Sequence, residues 1–275
     1  MISQLLSSEL AHAFAWTLMH SIWQIALIAV LLSIVLRVGK NSTAHAKYIM
    51  SLGALALTFV FTLVTFAIYY IDQSQEVQVF AAFTGELVVS TGEEPQSIAA
   101  LFIAEYLHII VNVWLVGSLL FLIRYTGGYI YLRRLAHQAT SIDEQTQKRL
   151  SKLKRKFQIH RDVMIKQSAK ITTPMVTGFI KPIILFPIGL VNQLTPSQVS
   201  AILAHELAHV KRNDFLVNLI QSLAEAIFYY HPALWFISNT IRRERENSCD
   251  DLAILHTGQK FSCLLYTSPS PRDRG

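Results

Sequence analysis

The sequence predicts a mainly α-helical membrane protein, with transmembrane helices followed by a mixed domain that carries a small β-sheet. Three observations predict it. Of 275 residues, 52% are hydrophobic and only 15% charged, against about 25% charged in a soluble domain. The apolar residues gather into long blocks separated by short charged stretches, which is the pattern that makes hydropathy informative. After about residue 124 the texture changes to that of a mixed domain outside the bilayer.

The elements follow in order. A first apolar block spans about residues 13–36, long enough to cross a bilayer core of roughly 30 Å at about 1.5 Å per residue. Arg37, Lys40 and Lys47 follow it. A second block, about 48–70, holds no charged residue, and a third covers about 98–123 and ends at Arg124, with Arg133 and Arg134 behind it. Between the second and third lies a polar loop, 72–97, with Asp72, Glu76, Glu86, Glu93 and Glu94 but no Lys or Arg. Residues 1–124 thus form a three-helix transmembrane region. Excess Lys and Arg marks the cytoplasmic side. The N-terminus and the acidic loop are therefore expected outside, and everything after Arg124 inside. The first block is expected to be a retained helix rather than a signal peptide, because its charges are on the wrong flank and no small-residue cleavage site follows. His20, within it, is expected to hydrogen-bond between helices.

The net charge of +6 is not arranged as a nucleic-acid stripe. The basic residues sit at the ends of apolar blocks, where they anchor helices, and no direct nucleic-acid partner is expected.

Residues 125–262 form the second region. Ser141-Ile-Asp-Glu144 has capping-box spacing and leads into a basic helix whose Leu150, Leu153 and Phe157 share a face. Val163-Met-Ile-Lys166 reads as a strand. Thr173–Pro182 and Ile183–Pro187 read as two more, punctuated by Gly178, Pro182 and Pro187. Prolines there favour a sheet edge, where an extended peptide can add as one more strand; a plain buttress under the site is the equal alternative. Thr195-Pro196 opens the next helix, with Thr as N-cap and Pro at the first turn. That helix runs to about Asn213.

It carries His205-Glu206-Leu-Ala-His209, an H-E-x-x-H motif. Four residues is just over one turn, so both imidazoles project from one face and can grip one zinc ion. Glu206 sits about 100° round the helix, suited to act as general base on a water. A catalytic zinc site takes three protein ligands and keeps one position open. The candidate third ligand is Glu246 in Arg242-Arg-Glu-Arg-Glu-Asn-Ser-Cys-Asp-Asp251, with Asp250 one turn later able to hold a histidine ligand in its tautomer. Cys249 is expected to point away from the face of Glu246 and to serve in packing.

The segment from Phe215 to Ser238 is apolar enough to cross a membrane once, but a single crossing would put Glu246 on the far side from His205. The chain must return, and His231-Pro232 is the natural break. A helical hairpin dipping into the membrane over 215–238 is expected, with its turn near His231. His231 is read as a turn or interface residue, an oxyanion role being the lesser option. Asp214 is placed to cap the hairpin or to support the site.

Several segments together resemble the BlaR/MecR-type membrane metallopeptidases over most of residues 10–262. They are His20-Ser-Ile-Trp-Gln24, Pro174–Pro187, His205–Asp214, Tyr230-His-Pro-Ala-Leu-Trp235 and Arg245–Asp251. The resemblance implies a gluzincin-like zinc protease domain among transmembrane helices in the bacterial inner (plasma) membrane, with the active site cytoplasmic. It implies Zn²⁺ held by His205, His209 and Glu246, and Glu206 as catalytic base. The best-known members are β-lactam sensors that cleave, or cause cleavage of, a cytoplasmic repressor. The implied function is therefore a membrane-embedded zinc endopeptidase in transmembrane signalling, acting as an antirepressor. Its implied substrate is a protein or peptide: a cytoplasmic transcriptional repressor or other regulator, or the chain itself. β-Lactam sensing does not follow from the resemblance. Two alternatives stand beside this one: a non-proteolytic transducer with a structural zinc, and a membrane-protein quality-control protease. Glu206 separates the first, because a structural site needs no base.

Residues 263–275, Cys263-Leu-Leu-Tyr-Thr-Ser-Pro-Ser-Pro-Arg-Asp-Arg-Gly275, resemble a translated sequencing adapter and are expected to be non-native. Without Arg272, Asp273 and Arg274 the charge falls by one from +6, and Cys249 is left as the native cysteine. The natural protein is expected to continue past about Ser262.

Overall fold

The computed structural model describes residues 8–84 and 98–258, so the tail 263–275 and part of the acidic loop lie outside the described residues. The chain divides into two compact units. One groups Met1–Lys40, Met50–Leu122 and Glu225–Ser238; the other groups Asn41–Ile49, Ile123–Ala224 and Asn239–Gly275.

In the first unit lie most of three long helices, α1 (Ser8–Val38), α2 (Ala44–Thr84) and α3 (Ile98–Gln138). Stretches Leu10–Val38, Ala44–Ile71 and Ile109–Gln138 are long and apolar enough to cross a membrane. Two ends differ from expectation. Residues 72–84, expected in a polar loop, continue α2, because neither Gly nor Pro interrupts the chain between Gly53 and Gly85. α3 continues past Arg124 to Gln138, and its Gly127-Gly128 pair does not break it. The outward side chains are apolar: Ile22, Leu27 and Val30 of α1, Leu63 and Ile68 of α2, and Val113 and Leu120 of α3 are each more than half exposed. Such a surface suits lipid rather than water. Inside, small and polar residues let the helices meet. Gln24 donates to Thr65 Oγ1 at 2.8 Å, and His20 Nε2 lies 2.8 Å from the Tyr69 hydroxyl, the interhelical bond expected of it.

The tip of a helical hairpin belongs to this unit. α7 (Asp214–Ile227) and α8 (Pro232–Thr257) flank a turn at 228–231. The carbonyl of Ile227, orphaned at a helix end, accepts from Trp114 Nε1 at 2.8 Å, and Trp235 Nε1 donates to Tyr229 O at 2.9 Å. His231 is buried; its Nε2 donates to Ile22 O at 2.8 Å and its Nδ1 accepts from the Ala233 N–H at 3.2 Å. With both ring nitrogens committed, it is a turn residue with no donor left for an oxyanion.

The second unit holds a four-stranded sheet of order β1-β2-β4-β3, formed by β1 (Thr140–Ser141), β2 (Met164–Ser168), β3 (Met175–Thr177) and β4 (Ile183–Pro187). β2 and β4 pair in parallel, Ile165 opposite Ile184; β1 and β3 pair antiparallel on either side. β3 is therefore an edge. The turn after it needs Gly178, whose φ is +91° and where a Cβ would meet Lys181 O at 2.9 Å.

α4 (Glu144–Lys156) starts two residues later than the capping-box reading allows. Ser141 is taken by β1, paired with Lys166, so Asp143 becomes the N-cap and accepts from Thr146 N at 2.8 Å. The core gathers Leu150 and Leu153 of α4, Phe157, Ile184 and Phe186 of β4, Leu203 and Leu207 of α6 (Pro196–Arg212), and Ala253 of α8. A short helix, α5 (Leu190–Gln193), leads into α6.

Candidate metal centre

α6 is fixed at both ends. Thr195 accepts from Gln198 N while the Gln198 side chain accepts from Thr195 N at 2.8 Å, a complete capping box with Pro196 at the first turn. At the other end Asn213 adopts the left-handed conformation at φ +58°, one that Asn tolerates better than most residues. Arg161 donates to Val210 O and Asn213 Oδ1, filling the last-turn acceptors.

Between these caps, His205, Glu206 and His209 are carried in rigid register. The two Nε2 atoms lie 3.2 Å apart. Glu246 of α8 places Oε2 3.5 Å from each of them, and the three ligand atoms lie within 4.8 Å of one another. The outer nitrogens are taken: His205 Nδ1 by Asp250 Oδ1 at 2.8 Å and His209 Nδ1 by Asp214 Oδ2 at 2.8 Å. Each carboxylate thus favours the tautomer that leaves an Nε2 lone pair free. Two imidazole nitrogens and a carboxylate oxygen, converging with their supports in place, fit a zinc ion with an open position.

The electrostatics agree with convergence. Burial pushes the Glu246 carboxyl up, but hydrogen bonds and charge from His205 and His209 outweigh it and hold the group far below the usual carboxylate range. Burial lowers His209, yet the Asp214 hydrogen bond, helped by Cys249 and Glu246, raises it well above its ordinary value. Asp214 is correspondingly held low by His209 against the effect of burial. Glu206 behaves differently: burial dominates and raises it, with the two imidazoles pulling the other way. A carboxylate kept more basic than usual is what a general base requires.

Sequence reasoning left two residues short of their place. Asp214, held open between capping and support, reaches back to His209 from the start of α7. Cys249, expected in a packing role, is fully buried in the core, and its Sγ also lies 3.3 Å from both His209 Nδ1 and Asp214 Oδ2, contacts that residue spacing alone did not signal.

His205, Glu206, His209 and Glu246 line a cleft of about 610 Å³ together with Met175, Val176 and Phe179 on and just after β3.

Comparison with known proteins gives the same direction. Residues 10–261 match the family described as BlaR1 peptidase M56. The chain is 32% identical over 113 residues to the regulatory protein BlaR1 of Bacillus licheniformis, covering 41% of this chain and 18% of that protein. It is 27% identical over 147 residues to the methicillin resistance mecR1 protein of Staphylococcus aureus, covering 52% and 24%. A stretch of 50 residues is 40% identical to protease HtpX homolog 2 of Methanosarcina acetivorans, covering 18% and 17%. The matched part is thus a quarter or less of the length of each relative.

Proposed function

The chain belongs to the BlaR1 peptidase M56 family, and from that premise we propose that it is a membrane-embedded zinc endopeptidase that hydrolyses peptide bonds of a cytoplasmic regulator, of itself, or of both. The observation that carries the reading is the pair of Nε2 atoms 3.2 Å apart, each 3.5 Å from Glu246 Oε2, with a carboxylate behind each ring. His205, His209 and Glu246 are the ligands in this reading. Zinc, when bound, supplies a Lewis acid for the scissile carbonyl and acidifies water.

The chain's own residues do the rest. Asp250 and Asp214 hold the imidazoles in tautomer and orientation. The free edge of β3 accepts the substrate backbone as an added strand, which lays an extended peptide along the wall of the cleft. Glu206 takes a proton from the attacking water as its oxygen bonds to the carbonyl carbon. It then returns the proton to the amide nitrogen as the C–N bond breaks. The basic residues behind the apolar helices argue that this chemistry faces the cytoplasm. The regulatory relatives argue that it serves signalling.

The test is Glu206→Gln in the purified chain. Peptide cleavage is expected to disappear while zinc stays bound at its wild-type stoichiometry; cleavage at the wild-type rate removes Glu206 from the role of base.

A further inference from the structure

Asp214 Oδ1, the oxygen not used by His209, faces the Tyr48 hydroxyl at 3.4 Å and Arg212 Nε at 3.5 Å. Tyr48 and Asp214 are both 4% exposed. The guanidinium carbon of Arg212 sits 4.2 Å over the Tyr48 ring, and Arg212 also donates to Ser248 Oγ on α8. We propose that Tyr48 is a positioning residue for the metal centre, acting through Asp214 and so tying His209 to the first turns of α2. The inference rests on the zinc-centre reading above.

A carboxylate that accepts through only one oxygen can rotate about its terminal bond, a soft torsion. Holding Oδ1 between a hydroxyl and a guanidinium fixes that rotation, which fixes where Oδ2 points. The Oδ2 position sets the plane of the His209 ring and therefore the direction of its Nε2 lone pair. Tyr48 brings the only hydroxyl in this set that comes from α2, a helix apolar enough to span a membrane. A shift or rotation of the start of α2 carries the hydroxyl with it and loosens or tightens the ligand. The 3.4 Å contact is longer than a full O–H···O bond, so it steers rather than anchors, and the expected effect is modest.

The experiment uses the full chain in detergent, stripped of metal and then titrated with zinc against a chromophoric chelator and with cobalt(II) for its ligand-field spectrum. Wild type is expected to bind one ion. Tyr48→Phe, which removes only the hydroxyl, should weaken zinc roughly threefold to tenfold, below the span typical of a group touching a ligand directly. It should also shift the cobalt bands and leave the unfolding of the metal-free protein unchanged. Asp214→Asn should weaken binding further, and adding Tyr48→Phe to it should change nothing more, because one path carries both effects. Wild-type affinity and spectrum in Tyr48→Phe overturn the proposal. So does a loss that adds in full to that of Asp214→Asn, or one matched by a loss of metal-free stability. A wild type that binds no metal sinks the zinc-centre reading itself, and the inference with it.

Discussion

His209 Nδ1 lies 2.8 Å from Asp214 Oδ2, across the turn that ends α6. Residues five apart do not face one another on a straight helix. These two meet because Asn213 turns left-handed at φ +58° and swings the start of α7 back beneath the last turn. His205 is served from a different element, by Asp250 on α8 at 2.8 Å. The two imidazoles are thus oriented independently, one by a local turn and one by long-range packing.

That independence is measurable. Asp250→Asn preserves shape but removes the charge that favours the Nδ1–H tautomer, and zinc affinity is expected to fall about 10–100-fold. Asp250→Asn and Asp214→Asn act on different rings, so their losses should add to a first approximation. Chelator-competition titration of the single and double variants reads this directly. Wild-type affinity in Asp250→Asn means that the carboxylate does not support the ligand.

Glu246→Ala makes the sharper demand. If Glu246 is the third ligand, its removal leaves two imidazoles, and zinc measured by atomic absorption after dialysis should fall well below one ion per chain. Far-ultraviolet circular dichroism should be unchanged, since the Glu246 side chain is 45% exposed. A full complement of zinc in this variant hands the third position to another group.

How much of this could be read from the sequence divides along physical lines. His205, Glu206 and His209 were legible because helix geometry fixes their relation whatever surrounds them. That Glu246 and Asp250 would lie beside the imidazoles was legible by demand: a catalytic zinc takes a third ligand, and a carboxylate pair one turn apart was available downstream. The prolines misplaced the edge: Pro187 closes β4, which pairs on both sides with β2 and β3, while the edge falls to β3, which holds no proline. What stayed hidden depends on backbone states or partners that periodicity does not encode. Asp214 needed the left-handed Asn213, and Tyr48 approaches from 166 residues away. Ser141 lost the cap of α4 to Asp143 because a two-residue strand, too short to leave a pattern, had claimed it.

The edge strand yields its own prediction. Gly178 turns the chain out of β3 at φ +91°, and an added Cβ meets Lys181 O at 2.9 Å. Gly178→Ala is therefore strained in both conformation and space, at a cost of about 1–3 kcal/mol. The strain falls on the wall of the cleft and not on the ligands. Zinc stoichiometry should hold while KM for a peptide substrate rises more than kcat falls. An unchanged KM argues that substrate does not use this edge.

The proposed cytoplasmic orientation of the cleft rests on charge, and it can be read with reporters in cells. Arg37, Lys40 and Lys47 lie between the first two apolar stretches, and Arg124, Arg133 and Arg134 follow the core of the third, whereas 72–97 carries five acidic residues and no basic one. Retention of Lys and Arg on the cytoplasmic face orients such helices. An alkaline phosphatase fusion after residue 85 should be active and one after residue 150 inactive, with a cytoplasmic reporter giving the opposite pattern at both points. If His205 and Glu246 share one ion, a fusion after Asp251 should match the one after residue 150. If it reads from the other side, the segment between them crosses the membrane once, and Glu246 cannot complete the centre.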